Sequence, residues 1–302
     1  MVHDRSCPAR KTLRLFASEY YMKINKSLCL AVVAWLSLQI GLNAQPTAPA
    51  SPVHAELQKL VQEVQAKAKA GKTSEADLTD QIKDLDTLIA GENGARTEEA
   101  SLLAYMKAQL YLQVIKNQDK AVQLIKQIKV DYPNTTYGTN ADKILDGIAK
   151  QAAAAKIQDS LAVGTVFPDF AQTDLDGKPL SIASRKGKVV LLDFWATWCP
   201  PCRAELPNVI ATYAKHHGEG FEIIGVSLDS DRDKLDAFLK QQEGMTWPQY
   251  FDGKGWGNLL AAKYGVEAIP FALLIGPDGK IIGKDLRGES LEDAVAKAVA
   301  TK

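Results

Sequence analysis

DFWATWCPPCRAELP, Asp193 to Pro207, decides how the second half of this chain is read. It begins at the end of Lys188 to Trp195 (KVVLLDFW), a continuous apolar run expected of a strand in the buried centre of a sheet. It ends in a helix predicted from about Pro201 to His216. Cys199 then falls at a helix N-terminus, where unpaired backbone N–H groups and the helix dipole favour a thiolate. Cys202 follows one turn later, so its sulfur can reach back to close a ring with Cys199. Pro200 and Pro201 fix φ there, and a first helical turn tolerates proline because its N–H would lack a partner anyway. A thiol that attacks and a thiol that resolves are the parts disulfide exchange needs.

The pattern extends outward from this turn. Upstream, TDLDGKPLSI places Asp176-Gly177 between short β-type runs, a hairpin signal. Downstream, Phe221 to Leu228 reads as a second central strand and Asp231 to Gln242 as a helix. Phe271 to Ile275 and Lys280 to Gly283 form a hairpin across Gly276-Pro277-Asp278-Gly279, and Leu291 to Ala300 is a closing helix. This order predicts a mixed α/β sheet with helices on both faces over residues 161–302.

Residues 53–160 differ in kind. Apolar residues recur at helical spacing: Leu57, Leu60, Val61, Val64; Leu78, Ile82, Leu85, Ile89; Leu103, Met106, Leu110, Val114. Helix starts are expected at Thr73 to Ala76 and at Thr97 to Ala100, and four or five helices are expected to pack as hairpins. Tyr105 through Ala121 and Ile125 to Pro133 resembles one tetratricopeptide repeat in outline, with Gln109 where a small residue is usual. No second copy follows at a fixed period, and one repeat cannot stack. This half shows no chemistry, and self-association or partner binding is the role left open to it.

The N-terminus speaks to compartment. Met22-Lys23-Ile24-Asn25-Lys26 is a basic start, Ser27 to Leu42 carries no charge, and a Pro/Ala/Ser linker occupies 45–52. This reads as a signal peptide cleaved after Ala44, with synthesis expected to start at Met22; a genuine extended leader over residues 1–21 is the alternative. The product is then periplasmic or otherwise exported. If the segment is not cleaved, it is a membrane anchor, although its apolar run falls short of the ~20 residues a span needs. Cleavage removes Cys7 and Cys29 and leaves Cys199 and Cys202 alone in an oxidising compartment.

Composition narrows the classes. The chain has 302 residues, 36 basic and 36 acidic, so nothing in its charge favours nucleic acid. An apolar fraction of 46% with 24% charged residues excludes wholesale disorder.

The DLDGK hairpin, GKVVLLDFWATWCPPCRAELP and GVEAIPFALLIGPDGKII together resemble the TlpA/ResA-like thiol–disulfide oxidoreductases of the thioredoxin family. The resemblance covers about Leu161 to Lys302. It implies a thioredoxin-like fold and a redox-active Cys199–Cys202 disulfide in which Cys199 attacks and Cys202 resolves; helix position in turn predicts Cys199 as the exposed, low-pKa thiol of the reduced protein and Cys202 as the shielded one. The resemblance implies a cis bond at Ile269–Pro270 facing the dithiol, and a substrate-binding rim of Trp198, Pro200, Ile269 and Pro270. Asp193 becomes the buried acid that takes the proton of Cys202, and Glu205 an acid that tunes the thiols. Trp198 is expected to shield the disulfide and Trp195 to belong to the core. No cofactor is implied. The partners implied are a disulfide-bearing client, such as an apocytochrome c in cytochrome c maturation, and a membrane electron donor.

Three rivals remain. Cys199, Cys202 and His216 match a zinc-finger spacing only to the third ligand, because His217 is adjacent rather than three to five residues on, so no metal is expected. A peroxiredoxin-like peroxide reductase would use one activated cysteine with a nearby Thr and Arg, here Thr197 and Arg203. A helical scaffold with a vestigial redox domain would need no working dithiol.

Overall fold

The computed structural model describes residues 52–91 and 96–301. The chain divides into two compact units, one ending at Ile148 and one beginning at Ala149. The leader and signal expected over 1–44 lie outside the described residues. Of the expected linker only Pro52 is described, and it opens a helix.

The first unit contains α1 (Pro52–Lys69), α2 (Thr79–Gly91), α3 (Glu98–Gln109), a π-helical turn Leu110–Ile115, α4 (Gln118–Asp131), the one-turn α5 (Thr136–Thr139) and the start of α6 (Ala141–Ser160). Leu57, Leu60, Val61 and Val64 of α1 form one core cluster with Leu78, Leu85, Leu103 and Met106. Ala108, Ile125, Ile128, Ala141 and Ile148 form another. Thr97 starts α3 as expected, its hydroxyl accepting the Ala100 N–H at 3.1 Å. The other expected start moves. α2 begins at Thr79, and Thr73–Ala76 lies in a turn. Ser74 donates its N–H and hydroxyl to the Asp77 carboxylate at 3.1 and 2.5 Å, so these polar side chains satisfy the backbone without a helix. Gln109, at the position where a repeat would carry a small residue, is buried and donates to the Tyr105 hydroxyl at 2.8 Å.

The second unit has a thioredoxin-like fold. Its elements are β1 (Gln172–Thr173), β2 (Pro179–Leu180), β3 (Val189–Trp195), α7 (Pro200–His216), β4 (Phe221–Ser227), α8 (Arg232–Gln241), β5 (Gln249–Tyr250), α9 (Leu259–Lys263), β6 (Phe271–Ile275), β7 (Ile281–Lys284) and α10 (Gly288–Ala300). β1 and β2 form the small antiparallel hairpin around Asp176-Gly177. The other five strands make a mixed sheet in the order β5-β4-β3-β6-β7. β3 lies at its centre, parallel to β4 and antiparallel to β6, which is why its side chains are apolar on both faces except at Asp193. Helices α7 and α10 pack on one another, α7 also on β4 and α10 on β3.

Two features of this topology position the site. Chain direction puts the carboxyl end of β3 at the start of α7, so the cysteine turn emerges from the sheet centre. The antiparallel register pairs Phe194 with Phe271, so the residue before β6, Pro270, arrives at that same end. Gly225 of β4 has a packing reason. A Cβ there would lie 2.0 Å from Oε1 of Gln249, the atom that accepts the buried Trp195 Nε1–H at 3.0 Å.

Candidate active site

Cys199 and Cys202 form a disulfide with Cα atoms 5.3 Å apart. Cys199 is the N-cap of α7, and prolines occupy the first two helical positions. The Cys202 backbone N–H points at Cys199 Sγ, 3.2 Å away. This is one of the unpaired donors of a helix start, aimed at the atom that must carry negative charge when the bond is reduced. Cys199 Sγ also lies 3.8 Å from the Ile269 carbonyl oxygen. The peptide bond from Ile269 to Pro270 is cis. Across the turn, Trp198 is half exposed and Pro200 exposed.

In this disulfide form both sulfurs are covered. Cys199 is 3% and Cys202 6% exposed. The physical reason is the loop ending in Ile269 and Pro270, whose backbone comes down over the N-cap sulfur. Trp198, next to Cys199 in the chain, has half of its surface in solvent. Trp195 belongs to the core, 4% exposed, with its ring 5.5 Å from Phe238.

Asp193, Cys202, Glu205 and Pro270 line a small cavity of about 10 Å³, closed by Trp195, Leu206 and Val209. That is about the room one water molecule needs. Burial raises the Asp193 carboxyl from 3.8 to about 6; Arg287 opposes the shift and the charge of Glu205 adds to it. Glu205 has a second attachment. Its carboxylate accepts the N–H of Gly288, the first residue of α10, at 2.7 Å, and the Asn208 amide at 3.3 Å. It therefore fixes the start of α10 to α7 while bordering the cavity.

Two contributors escaped the sequence reading. Asp229, 3% exposed, lies just past the end of β4. Its carboxylate accepts the Thr197 hydroxyl at 2.6 Å, the Thr197 N–H at 3.1 Å and the Ser227 hydroxyl at 2.8 Å. It thus anchors the loop two residues before Cys199. The usable signal was an acid at the carboxyl end of the strand that pairs with the cysteine-bearing strand. The second is Arg287, which brings a positive charge to bear on Asp193. Thr197 and Arg203, the pair a peroxide reductase would use, are engaged elsewhere: Thr197 with Asp229, and Arg203 over the Phe238 ring at 5.9 Å. His216 pairs with Glu219 at 2.6 Å, and no three His, Cys, Asp or Glu side chains among the described residues come together to hold a metal.

Comparison with known proteins agrees with this geometry. Residues 162–300 match the Redoxin family model. The thiol-disulfide oxidoreductase ResA of Bacillus thuringiensis is 35% identical over 136 residues, which span 45% of this chain and 76% of that protein. ResA of Bacillus subtilis is 31% identical over 125 residues, 41% of this chain and 68% of that one. Among solved structures, the thioredoxin domain of a thiol-disulfide oxidoreductase from Bacteroides vulgatus shares 36% identity, covers 46% of this chain and 99% of its own, and has a TM-score of 0.43. With its C-x-x-C disulfide at a helix start on a thioredoxin-like sheet, this chain belongs to the TlpA/ResA-like thiol–disulfide oxidoreductases, enzymes of protein disulfide exchange.

Proposed function

We propose that this protein is an exported reductase that passes two electrons from a Cys199/Cys202 dithiol to the disulfide of a client protein. The observation that carries this reading is the disulfide at the N-cap of α7, with the Cys202 N–H on Cys199 Sγ and Asp193 in the cavity behind Cys202.

In the reduced protein the Cys199 thiolate attacks one sulfur of the client disulfide. A Cys199–client disulfide forms, and the client's other sulfur leaves as a thiolate that takes a proton. Cys202 then loses its proton to Asp193, directly or through a water in the cavity, and attacks Cys199 Sγ. The Cys199–Cys202 disulfide closes, and the second client sulfur leaves as a thiolate that takes the proton Asp193 received from Cys202. The client gains two electrons and two protons, and the enzyme dithiol is oxidised. A carboxyl titrating at about 6 is ionised at pH 7, yet basic enough to serve a thiol of ordinary pKa near 8.5. Pro270 and Ile269 present backbone beside the sulfur under attack, and Trp198 and Pro200 form the opposite rim.

The exported setting rests on the basic start at Lys23 and the uncharged run to Leu42, with cleavage after Ala44 and residues 1–21 outside the mature chain. Retention of that run would anchor the protein instead. Among the described residues no helix is long and apolar enough to cross a membrane. Residues 53–160 form a helical domain that serves self-association or partner binding, and 161–302 the redox domain. Apocytochrome c is the client class this reading favours, and a membrane dithiol donor returns the electrons. The test is the reduction potential of the pair together with trapping. A value near about −270 mV or below, with Cys202→Ser accumulating mixed disulfides through Cys199, is expected. A value near about −120 mV would make the protein an oxidant and overturn the direction.

A further inference from the structure

Two tryptophans stand out of the surface beside the disulfide. Trp198 and Trp256 are 50% and 52% exposed, and their ring centroids lie 6.0 Å apart. The other two tryptophans of this unit, Trp195 and Trp247, are buried. Leu259, also half exposed, follows three residues after Trp256. Two tryptophan rings in contact and held in water are the kind of exposed apolar surface that marks an interaction site.

The group is built rather than left over. Trp198 sits between Thr197, which Asp229 holds, and Cys199. Trp256 sits in the turn Gly255–Gly257, and that turn is tied at both ends. Asp252 accepts the Lys254 N–H at 3.1 Å, the Leu259 N–H at 2.8 Å and the Asn258 amide at 3.2 Å. Asn258 is fully buried, caps α9 through Leu260 and Ala261, and donates to the Ser227 carbonyl at 3.3 Å. Ser227 in turn donates to Asp229. A chain of satisfied polar groups, Asp252–Asn258–Ser227–Asp229–Thr197, therefore fixes both tryptophan-bearing loops to the carboxyl end of β4. Satisfied buried networks of this kind make a local structure rigid. Both rings keep their exposure because their backbones are held from below, and a rigid aromatic surface loses little entropy on binding.

From these observations we infer that Trp256 is a client-binding residue: with Trp198 it forms an aromatic platform that takes an apolar side chain next to the client's disulfide cysteine. The inference rests on the reductase reading above. Its physical basis is continuity. Trp198 directly precedes Cys199 and forms one rim of the site, so client residues flanking the attacked sulfur lie within reach of it, and Trp256 extends that surface by one ring. The platform carries no charge, so it selects an aromatic or aliphatic side chain. Tryptophans in such positions commonly dominate recognition.

The test uses the reduced full chain and three substrates: two peptides with an internal disulfide, identical except for Phe or Ser beside one cysteine, and cystine. Reduction converts each disulfide to two thiols as the Cys199/Cys202 dithiol closes, and the thiol product is counted by mass. The wild type should reduce the Phe peptide about tenfold faster than the Ser peptide at low substrate. That ratio corresponds to about 1.4 kcal/mol, the size of one aromatic contact. Trp256→Ala should bring the ratio below about two, Trp256→Phe should keep most of it, and cystine should react alike with all three proteins. A preference surviving in Trp256→Ala, or a cystine rate falling as far as the Phe peptide rate, overturns the inference while leaving the reductase reading intact. A change in oligomeric state on Trp256→Ala would identify the platform as a contact between copies of this chain and overturn it too. A wild type that reduces none of the three substrates sinks the reductase reading and the platform with it.

Discussion

Replacing Asp193 by Asn keeps the shape of the cavity wall and removes its charge. The structure sets the size of the effect. The carboxyl titrates at 3.8 when unfolded and at about 6 when folded, mainly because burial disfavours its charged form. A folded value above the unfolded one means the native state holds the proton more tightly. The stability from that proton is complete below about pH 4 and is lost as pH rises through about 6. The aspartate therefore costs the fold little at low pH, about 1 kcal/mol at pH 4.5, and about 3 kcal/mol above pH 7. Asp193→Asn should gain stability over the wild type on that curve. Urea unfolding of the oxidised proteins across pH 4.5–8 would measure it, followed by tryptophan fluorescence, since four of the five tryptophans lie in the redox unit. The same variant should resolve a Cys199 mixed disulfide about 10- to 100-fold more slowly, because Cys202 loses its base. The first attack by Cys199 should change less. A stability difference that is flat with pH would refute the assigned titration. Unchanged resolution in Asp193→Asn with slow resolution in Glu205→Gln would move the base to Glu205.

The neighbours of Asp193 should act on it with opposite signs. Glu205→Gln keeps an acceptor for the Gly288 N–H but removes a charge that raises Asp193, so the Asp193 titration, followed by carboxyl carbon NMR, should move down. Arg287→Gln removes an opposing cation and should move it up. Asp229→Ala leaves the Thr197 N–H and hydroxyl without their acceptor and should cost the redox unit about 3 kcal/mol in urea unfolding. Thr197→Val, which loses the hydroxyl and leaves the N–H bond, should cost about 1 kcal/mol.

Much of the site is local, and local features are legible in a chain. The apolar run before Asp193, the prolines after Cys199 and the three-residue cysteine spacing specify a buried strand, a helix start and a ring-closing pair by short-range sterics alone. The periodicities of 57–64 and 103–114 reveal core-facing helix stripes for the same reason. Helix boundaries were less legible. At Thr73–Ala76 two polar side chains bind one another and the backbone, an outcome that depends on rotamers rather than on pattern.

By itself, then, the sequence determined the central strands, most of the longer helices, the dithiol and, through its motifs, the family, but not the short elements β5 and α9. Tertiary structure decided what surrounds the dithiol, because those contacts join residues far apart along the chain. The antiparallel register of β3 and β6 brings Ile269 over Cys199 across 70 positions and covers a sulfur whose helix-start position alone suggested exposure. The parallel pairing of β3 with β4 delivers Asp229 to Thr197 across 32 positions. Glu205 reads from sequence as a helix acid near the thiols; only the packing of α10 on α7 gives it the Gly288 N–H to hold. Spacing along one helix or strand follows from backbone geometry, whereas the neighbours of a side chain across a sheet depend on register, and register is fixed only when the whole core closes.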